Sequence, residues 1–162
     1  MMLGMSLSTF TTVHVIISLI AIASGIIVLF GMLGSKRLNG LTALFLLTTV
    51  LTSVTGFGFP FTHLGPAHRL GIISLVVLAI TLLARYSFHM SGSWRWIYVV
   101  TAVMALYLNV FVLVVQSFEK VPALHAMAPT QTEGPFKIAQ LVVLVLFIGL
   151  TVVAVRKFHP EK

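Results

Sequence analysis

Residues 10–33 read FTTVHVIISLIAIASGIIVLFGML, and this run decides the fold class. It contains no charged residue, and it exceeds the roughly 20 apolar residues that a helix needs to cross the hydrocarbon core of a bilayer. Four similar runs follow at about 41–59, 66–88, 96–118 and 136–155. Backbone groups in lipid must find hydrogen-bond partners within their own segment, so we expect all five runs to be helices. The sequence therefore predicts an all-α integral membrane bundle of five transmembrane helices.

The composition leaves little of the chain outside this bundle. Of its 162 residues, 59% are hydrophobic and only 8% are charged, whereas a soluble domain is about 25% charged. We therefore expect residues 1–162 to form a single membrane domain in contact with the lipid bilayer. The net charge of +7 does not indicate a nucleic-acid partner here, because basic residues in short loops are the usual topology signals of membrane proteins. The absence of cysteine excludes disulfides and thiolate metal sites.

The cations also predict an orientation, because Lys and Arg accumulate in cytoplasmic loops. Seven of them fall on one side of the predicted bundle, namely Lys36, Arg37, Arg85, Arg95, Arg156, Lys157 and Lys162. The other side holds Arg69, Lys120 and Lys137, which are partly offset by Glu119 and Glu133. We therefore expect the N-terminus outside and the C-terminus in the cytoplasm.

Four of the six histidines fall on the predicted outer side: His14, His63, His68 and His125. Imidazole is the commonest metal ligand and titrates near neutral pH. His14 is the strongest candidate, because it is the first strongly polar side chain of an apolar helix, and such residues usually face the bundle interior and mark a site. The alternative for the other three is ordinary solvation or capping, in a loop or in the first turn of a helix.

A stripe of small residues follows His14 at helical spacing. Ser18, Ala21 and Gly25 lie on the same face of the first span. Small residues in such a stripe permit close helix packing, and they could also leave room for a flat ligand below His14. Plain helix packing is sufficient to explain the three residues by themselves.

Three amides lie within the predicted spans. Asn109 and Gln116 are seven residues apart in the fourth span and share a face, and Gln140 lies near the outer end of the fifth. Amides in lipid commonly hold helices together, at about 0.6 kcal/mol on average. The functional alternative is a polar pocket in the outer half of the membrane that binds a head group, a quinone or the edge of a cofactor.

The groups needed for most catalytic chemistries are missing. No Asp, Glu, Lys or Arg lies at the centre of a span, although ion carriers usually need one. The sequence has no GxSxG, HExxH or Walker motif. Imidazoles are the only candidates for catalytic groups, so the sequence does not decide whether the chain is an enzyme.

Several stretches resemble a group of bacterial polytopic inner-membrane proteins without an assigned activity: HRLGIISL, RYSFH, WRWIYV, LYLNVFVLVVQSF and KVPALHAMAPTQTEGPF. The resemblance covers most of residues 60–140 and implies a multi-pass location in the bacterial inner membrane. A second similarity is to the membrane subunits of b-type cytochromes, which hold haem with intramembrane histidines on small helical bundles. Because this chain lacks paired histidines at both membrane faces, that similarity implies at most one haem site, on the outer side.

The leading hypothesis is a membrane redox or cofactor-binding protein with one haem b near the outer face. His14 and His68 are the predicted axial pair, approaching one another across the first and third spans, with the small-residue stripe leaving space for the macrocycle. Gln116 and Gln140 are expected to contact the propionates or a quinone, and Asn109 completes the expected polar lining.

Two other hypotheses remain open. One is a non-catalytic accessory subunit of a larger membrane complex, or a small-solute binding protein, whose histidines serve packing. The other is a transition-metal handling protein that uses His63, His68 and His125, with His14 as a further candidate ligand. This metal set has no carboxylate or thiol to support it.

Overall fold

The computed structural model of the chain describes residues 6–36, 38–57, 66–129 and 134–158. Its helices are α1 (Leu7–Leu33), α2 (Asn39–Gly56), α3 (Pro66–Leu82), α4 (Trp94–Lys120), α5 (Pro122–Met127) and α6 (Gly134–Lys157). A π-helical turn, Leu83–Ser87, continues α3. Five of the described helices are long and apolar enough to cross a membrane. The prediction of an all-α chain with five spans is thereby confirmed for the part of the chain that the structure describes.

Local sequence explains where the first two spans begin and end. Ser6 caps α1, because its hydroxyl accepts a hydrogen bond from the backbone N–H of Thr9 at 3.2 Å. Gly34 closes the same helix, and its N–H donates to the carbonyl of Phe30. The second span was expected to reach residue 59, but α2 ends at Gly56. Glycine weakens a helix interior, so this earlier end agrees with the sequence.

The first four helices form a closed ring. α2 packs on α1 and α3, and α4 packs on the same two helices from the other side. α1 and α3 therefore occupy opposite corners of the ring. α6 lies outside it, against α4 and α1. The ring interior is filled by apolar side chains, among them Phe45, Leu78, Val99 and Leu106.

Successive long helices run in opposite directions, so the bundle has two distinct ends. The end at which α2 and α4 finish contains His14 and is called the His14 end. The opposite end contains the finish of α1 and the π-helical turn, and it is called the Arg85 end. At the His14 end, a hydrogen bond between His14 and Thr55 joins α1 to α2. At the Arg85 end, a hydrogen bond from Arg85 to Asn39 joins the π-helical turn to α2.

Candidate functional site

His14 is held by a hydrogen bond to α2. Its Nδ1 lies 2.6 Å from Thr55 Oγ1, and that hydroxyl oxygen lies 2.6 Å from the carbonyl oxygen of Leu51. Two oxygens this close require a proton between them, so the Thr55 hydroxyl donates to Leu51. The Thr55 oxygen therefore accepts its second hydrogen bond from His14 Nδ1–H. This assignment makes Nδ1 the protonated nitrogen of the neutral ring and gives Nε2 the lone pair.

This arrangement is typical of histidines that bind metals. Such a histidine usually donates its other ring N–H to a fixed acceptor, which sets both the tautomer and the orientation of the ring. His14 is half-buried, as expected for a polar residue that faces the bundle interior. Its Nε2 is therefore an oriented Lewis base at the His14 end.

His68 contacts the same end of α2 from the other side. It lies in the first turn of α3, and both of its ring nitrogens are buried. Its ring centroid is 5.5 Å from that of Phe57, with the rings tilted by 53°. Phe57 directly follows α2 and is two residues beyond Thr55, so the two imidazoles contact the same end of this helix on different sides. Their helices occupy opposite corners of the ring, and direct axial pairing on one iron stays a prediction.

The small-residue stripe below His14 is occupied by packing. Ala21 is fully buried, and a Cβ added to Gly25 would lie 2.7 Å from Leu106 Cδ1 and 2.8 Å from Phe45 Cε1. The cavity beside Gly25, Phe45 and Leu106 measures only about 10 Å³, at most enough for a single water molecule. The expectation that this stripe leaves space for a macrocycle is therefore wrong. The glycine instead allows the Phe45 ring and the Leu106 side chain to approach the backbone of α1.

The described residues do not assemble the expected four-histidine metal set. His63 lies outside the described residues, and His125 is exposed on the short helix α5. Within ranges 6–36, 38–57, 66–129 and 134–158, no group of three or more His, Asp or Glu could hold a metal ion. Of the four histidines, His14 contacts Thr55 and His68 contacts Phe57, so these two lie at the C-terminal end of the second span.

The three amides have different surroundings. Asn109 donates from Nδ2 to Thr49 Oγ1 at 3.2 Å, and Gln140 donates from Nε2 to the carbonyl of Phe111 at 3.4 Å. Asn109 and Gln140 thus face neighbouring helices, as His14 does through Thr55. Gln116 is half-buried on α4. A role of Gln116, Gln140 or Asn109 in binding a cofactor stays a prediction.

A row of hydroxyls on α2 was not among the residues predicted from the sequence. The row consists of Thr42, Thr49, Ser53 and Thr55, and each member bonds a polar side chain of another helix. In chain order the pairs are Thr42–Tyr98, Thr49–Asn109, Ser53–Ser74 and Thr55–His14. The signal was available, because spacings of seven and four residues place the first three on one helical face. α2 is thus the element that orients the polar side chains of α1, α3 and α4.

A buried cation at the Arg85 end was also missed. Arg85 lies in the π-helical turn and is only 6% exposed. Its Nη1 donates to the Tyr98 hydroxyl at 3.0 Å, and its Nη2 donates to Asn39 Oδ1 at 2.6 Å. Along the sequence this arginine is only a topology signal, because its partners Asn39 and Tyr98 belong to two other helices.

Comparison with known proteins identified no relative of this chain. No protein-family model, curated protein or solved structure matches this chain.

Proposed function

We propose that this chain is a membrane protein that binds a redox or other metal-containing cofactor at the His14 end. The observation that carries the proposal is the hydrogen bond from His14 Nδ1–H to Thr55, which orients Nε2 as a ligand atom. Neutral imidazole suits iron, copper and zinc. His68 is the second ligand in this proposal, because its ring packs on Phe57, which directly follows α2.

Haem b is the cofactor that we propose first. The histidine donors suit haem iron, and bound haem would supply one-electron transfer at a potential set by its axial ligands and its burial. The packed stripe below His14 does not fit the macrocycle, so the proposal rests on the two histidine donors and not on that stripe. Gln116 and Gln140 would then contact its propionates or a quinone.

The absorption spectrum of the purified protein tests this proposal. We expect a Soret band that is lost in His14→Ala and retained in His89→Ala, since His89 is an exposed residue at the opposite end. A colourless protein that contains stoichiometric zinc or copper would replace haem with transition-metal handling at the same site. A colourless protein without bound metal would overturn the cofactor proposal. His68→Ala decides the second ligand, since an unchanged spectrum would remove His68 from the site.

A second candidate is an accessory subunit of a larger membrane complex, and α6 favours it. This helix exposes large apolar side chains along its whole length, including Ile138, Leu141, Val145 and Ile148. Lipid or another subunit could cover that surface. Mild-detergent purification followed by native mass spectrometry distinguishes a covering subunit from lipid. A stable partner would remain bound, whereas a lipid-facing α6 would leave the chain without a protein partner.

We also propose that the chain is a multi-pass protein of the bacterial inner membrane with the Arg85 end in the cytoplasm. The support is the cation distribution, which places Lys36, Arg156 and Lys157 at that end. Reporter fusions at the C-terminus test it. We expect activity from a cytoplasmic reporter, and a reporter active only in the periplasm would reverse the orientation.

A further inference from the structure

We propose that α6 is a lateral gate of the bundle, hinged at the Arg85 end and able to swing away from α4 at the His14 end. α6 packs outside the ring against α4 and α1, so it covers the seam between these two helices. Its movement would open that seam to the bilayer. The movement follows from how α6 is anchored and does not depend on the cofactor proposal.

α6 is the least buried of the five described spans. In the other four, 33–39% of the most apolar stretch is buried, whereas in α6 this share is 11%. The burial is also uneven along the helix. No residue from 134 to 146, all of which the structure describes, is buried, whereas Phe147, Ala154 and the following Phe158 are. Segments with few buried apolar contacts open at a lower free energy than the core, so we expect the half of α6 at the His14 end to move.

The other half of α6 is fixed by Arg95 of α4. Its Nη1 donates to the carbonyls of Val155 and Phe158, each at 2.8 Å. These carbonyls lie at the C-terminal end of α6, where backbone carbonyls lack partners within the helix and where the helix dipole favours a cation. Phe158 is fully buried, and its ring centroid lies 6.0 Å from that of Tyr98. Arg95 and Phe158 together form the hinge, which we call the Arg95 anchor.

The movable half of α6 contacts α4 less firmly. Phe136 meets Phe118 edge to face, with ring centroids 5.4 Å apart. Gln140 donates to the carbonyl of Phe111 at 3.4 Å, which is longer than the usual distance of about 2.7–3.2 Å. Its other amide atom, Oε1, is buried and has no hydrogen-bond partner among the described residues. A buried acceptor without a partner destabilises the closed arrangement, so we expect the aromatic pair to be the contact that keeps this end closed.

A small change in tilt is enough to open the seam. From Ala154 to Ile138 the helix measures about 24 Å, at 1.5 Å per residue. Transmembrane helices adopt tilts from 0 to about 40°, and a change of about 15° at the Arg95 anchor would move Ile138 by about 6 Å. Because α1 contains His14 and α4 contains Gln116, the open seam would admit a membrane-soluble reactant toward the His14 end. That use of the gate rests on the proposed function, whereas the movement does not.

Double electron–electron resonance on the full chain in lipid nanodiscs tests the gate. The sequence contains no cysteine, so two introduced cysteines can be spin-labelled without background. With α3 as the reference helix, Ile138→Cys with Ile73→Cys reports the His14 end, and Val153→Cys with Ile80→Cys reports the Arg85 end. All four residues are exposed. We expect a second population at a distance about 6 Å longer for the first pair, and a single population for the second pair.

Two substitutions are expected to act at opposite ends of α6. Phe136→Ala removes the closing aromatic pair and should raise the longer population of the first label pair about threefold or more. Leu141→Ala is its control, because Leu141 is an exposed residue of the same half. Arg95→Met removes the anchor and should add a longer population to the second label pair. Arg156→Met is its control, because it removes an exposed cation at the same end.

The outcomes separate a gate from a rigid helix. A single distance at both ends, in the unmodified protein and in Phe136→Ala, would overturn the proposal. Equal responses to Phe136→Ala and Leu141→Ala, or equal movement of both ends in the unmodified protein, would also overturn it. The unmodified protein and Phe136→Ala decide the question even where Arg95→Met does not fold. A colourless protein whose α6 moves would remove the cofactor and keep the gate, whereas a haem-containing protein with an immobile α6 would do the reverse.

Discussion

The two ends of the bundle stabilise a polar side chain in an apolar environment in different ways. At the His14 end, a neutral imidazole is oriented by one hydroxyl of α2. At the Arg85 end, a side chain that cannot lose its charge is surrounded by a phenol and an amide. A neutral ring offers a lone pair to a cation, whereas a permanent cation attracts an anion. The two ends therefore orient polar groups of opposite kind, a neutral ring with a lone pair and a permanent cation.

One helix supports both ends. α2 begins at Asn39, which bonds Arg85, and it contains Thr55 near its other end, which bonds His14. Between them, its hydroxyls bond side chains of α3 and α4. Substitutions along this helix and its neighbours should therefore affect the two ends separately.

The largest effect is expected from Arg85→Met. This change leaves the Tyr98 hydroxyl and the Asn39 amide without their charged donor, and hydrogen bonds to charged groups contribute about 1.5–3 kcal/mol each. We expect a loss of about 3 kcal/mol or more, measured by thermal unfolding in detergent. Arg156→Met is the control, because Arg156 is exposed at the same end. Equal stability of the two variants would show that the buried charge contributes nothing to the Arg85 end.

The packed interior between the ends is tested by Gly25→Ala. The added Cβ would lie 2.7 Å from Leu106 Cδ1, and overpacking of this kind typically costs about 1–3 kcal/mol. Gly149→Ala is the matched control, because a Cβ there meets nothing within 4 Å. That control should be neutral or slightly stabilising, since alanine is the better helix former. If Gly25→Ala matched it in unfolding experiments, the interior would have room that the structure does not show.

Thr55→Val should act only at the His14 end. It removes the acceptor that fixes the His14 tautomer, and loss of such a partner typically lowers metal affinity by about 10–100-fold. The measurement is cofactor release during titration with a competing chelator or apoprotein. Thr52→Val is the control, because its hydroxyl bonds the carbonyl of Thr48 on its own helix. Unchanged affinity in Thr55→Val would mean that His14 needs no orienting partner, and the case for an oriented ligand would fail.

The smallest effect is expected from Asn109→Leu. Its bond to Thr49 joins α4 to α2, and interhelical bonds of this type contribute about 0.6 kcal/mol on average. Ser117→Ala is the control, since that hydroxyl bonds the carbonyl of Leu113 within α4. Ser117→Ala should retain full cofactor content. Loss of cofactor in Asn109→Leu would assign Asn109 to the His14 site, and full retention would limit its role to joining α4 to α2.

The fold class followed from hydropathy because the bilayer imposes length and backbone pairing on each span separately. His14 could be identified from the sequence for the same reason, because it interrupts the apolar run of its own helix. The threonines of α2 were overlooked because a hydroxyl can satisfy itself on the carbonyl four residues back. Only the packing of a neighbouring helix shows which of these hydroxyls also bond a side chain of that helix.

The sequence by itself determined five apolar spans, the gathering of histidines toward one end and the excess of cations toward the other. Each of these properties belongs to residues taken along one helix or one connection. Tertiary structure alone decided that Gly25 is covered by Phe45 and Leu106, that Thr55 orients His14, and that Arg85 turns inward. These contacts join residues more than ten positions apart, and their register depends on how the helices pack. Periodicity within one span shows which residues share a face, but not which residue of a neighbouring helix each of them contacts.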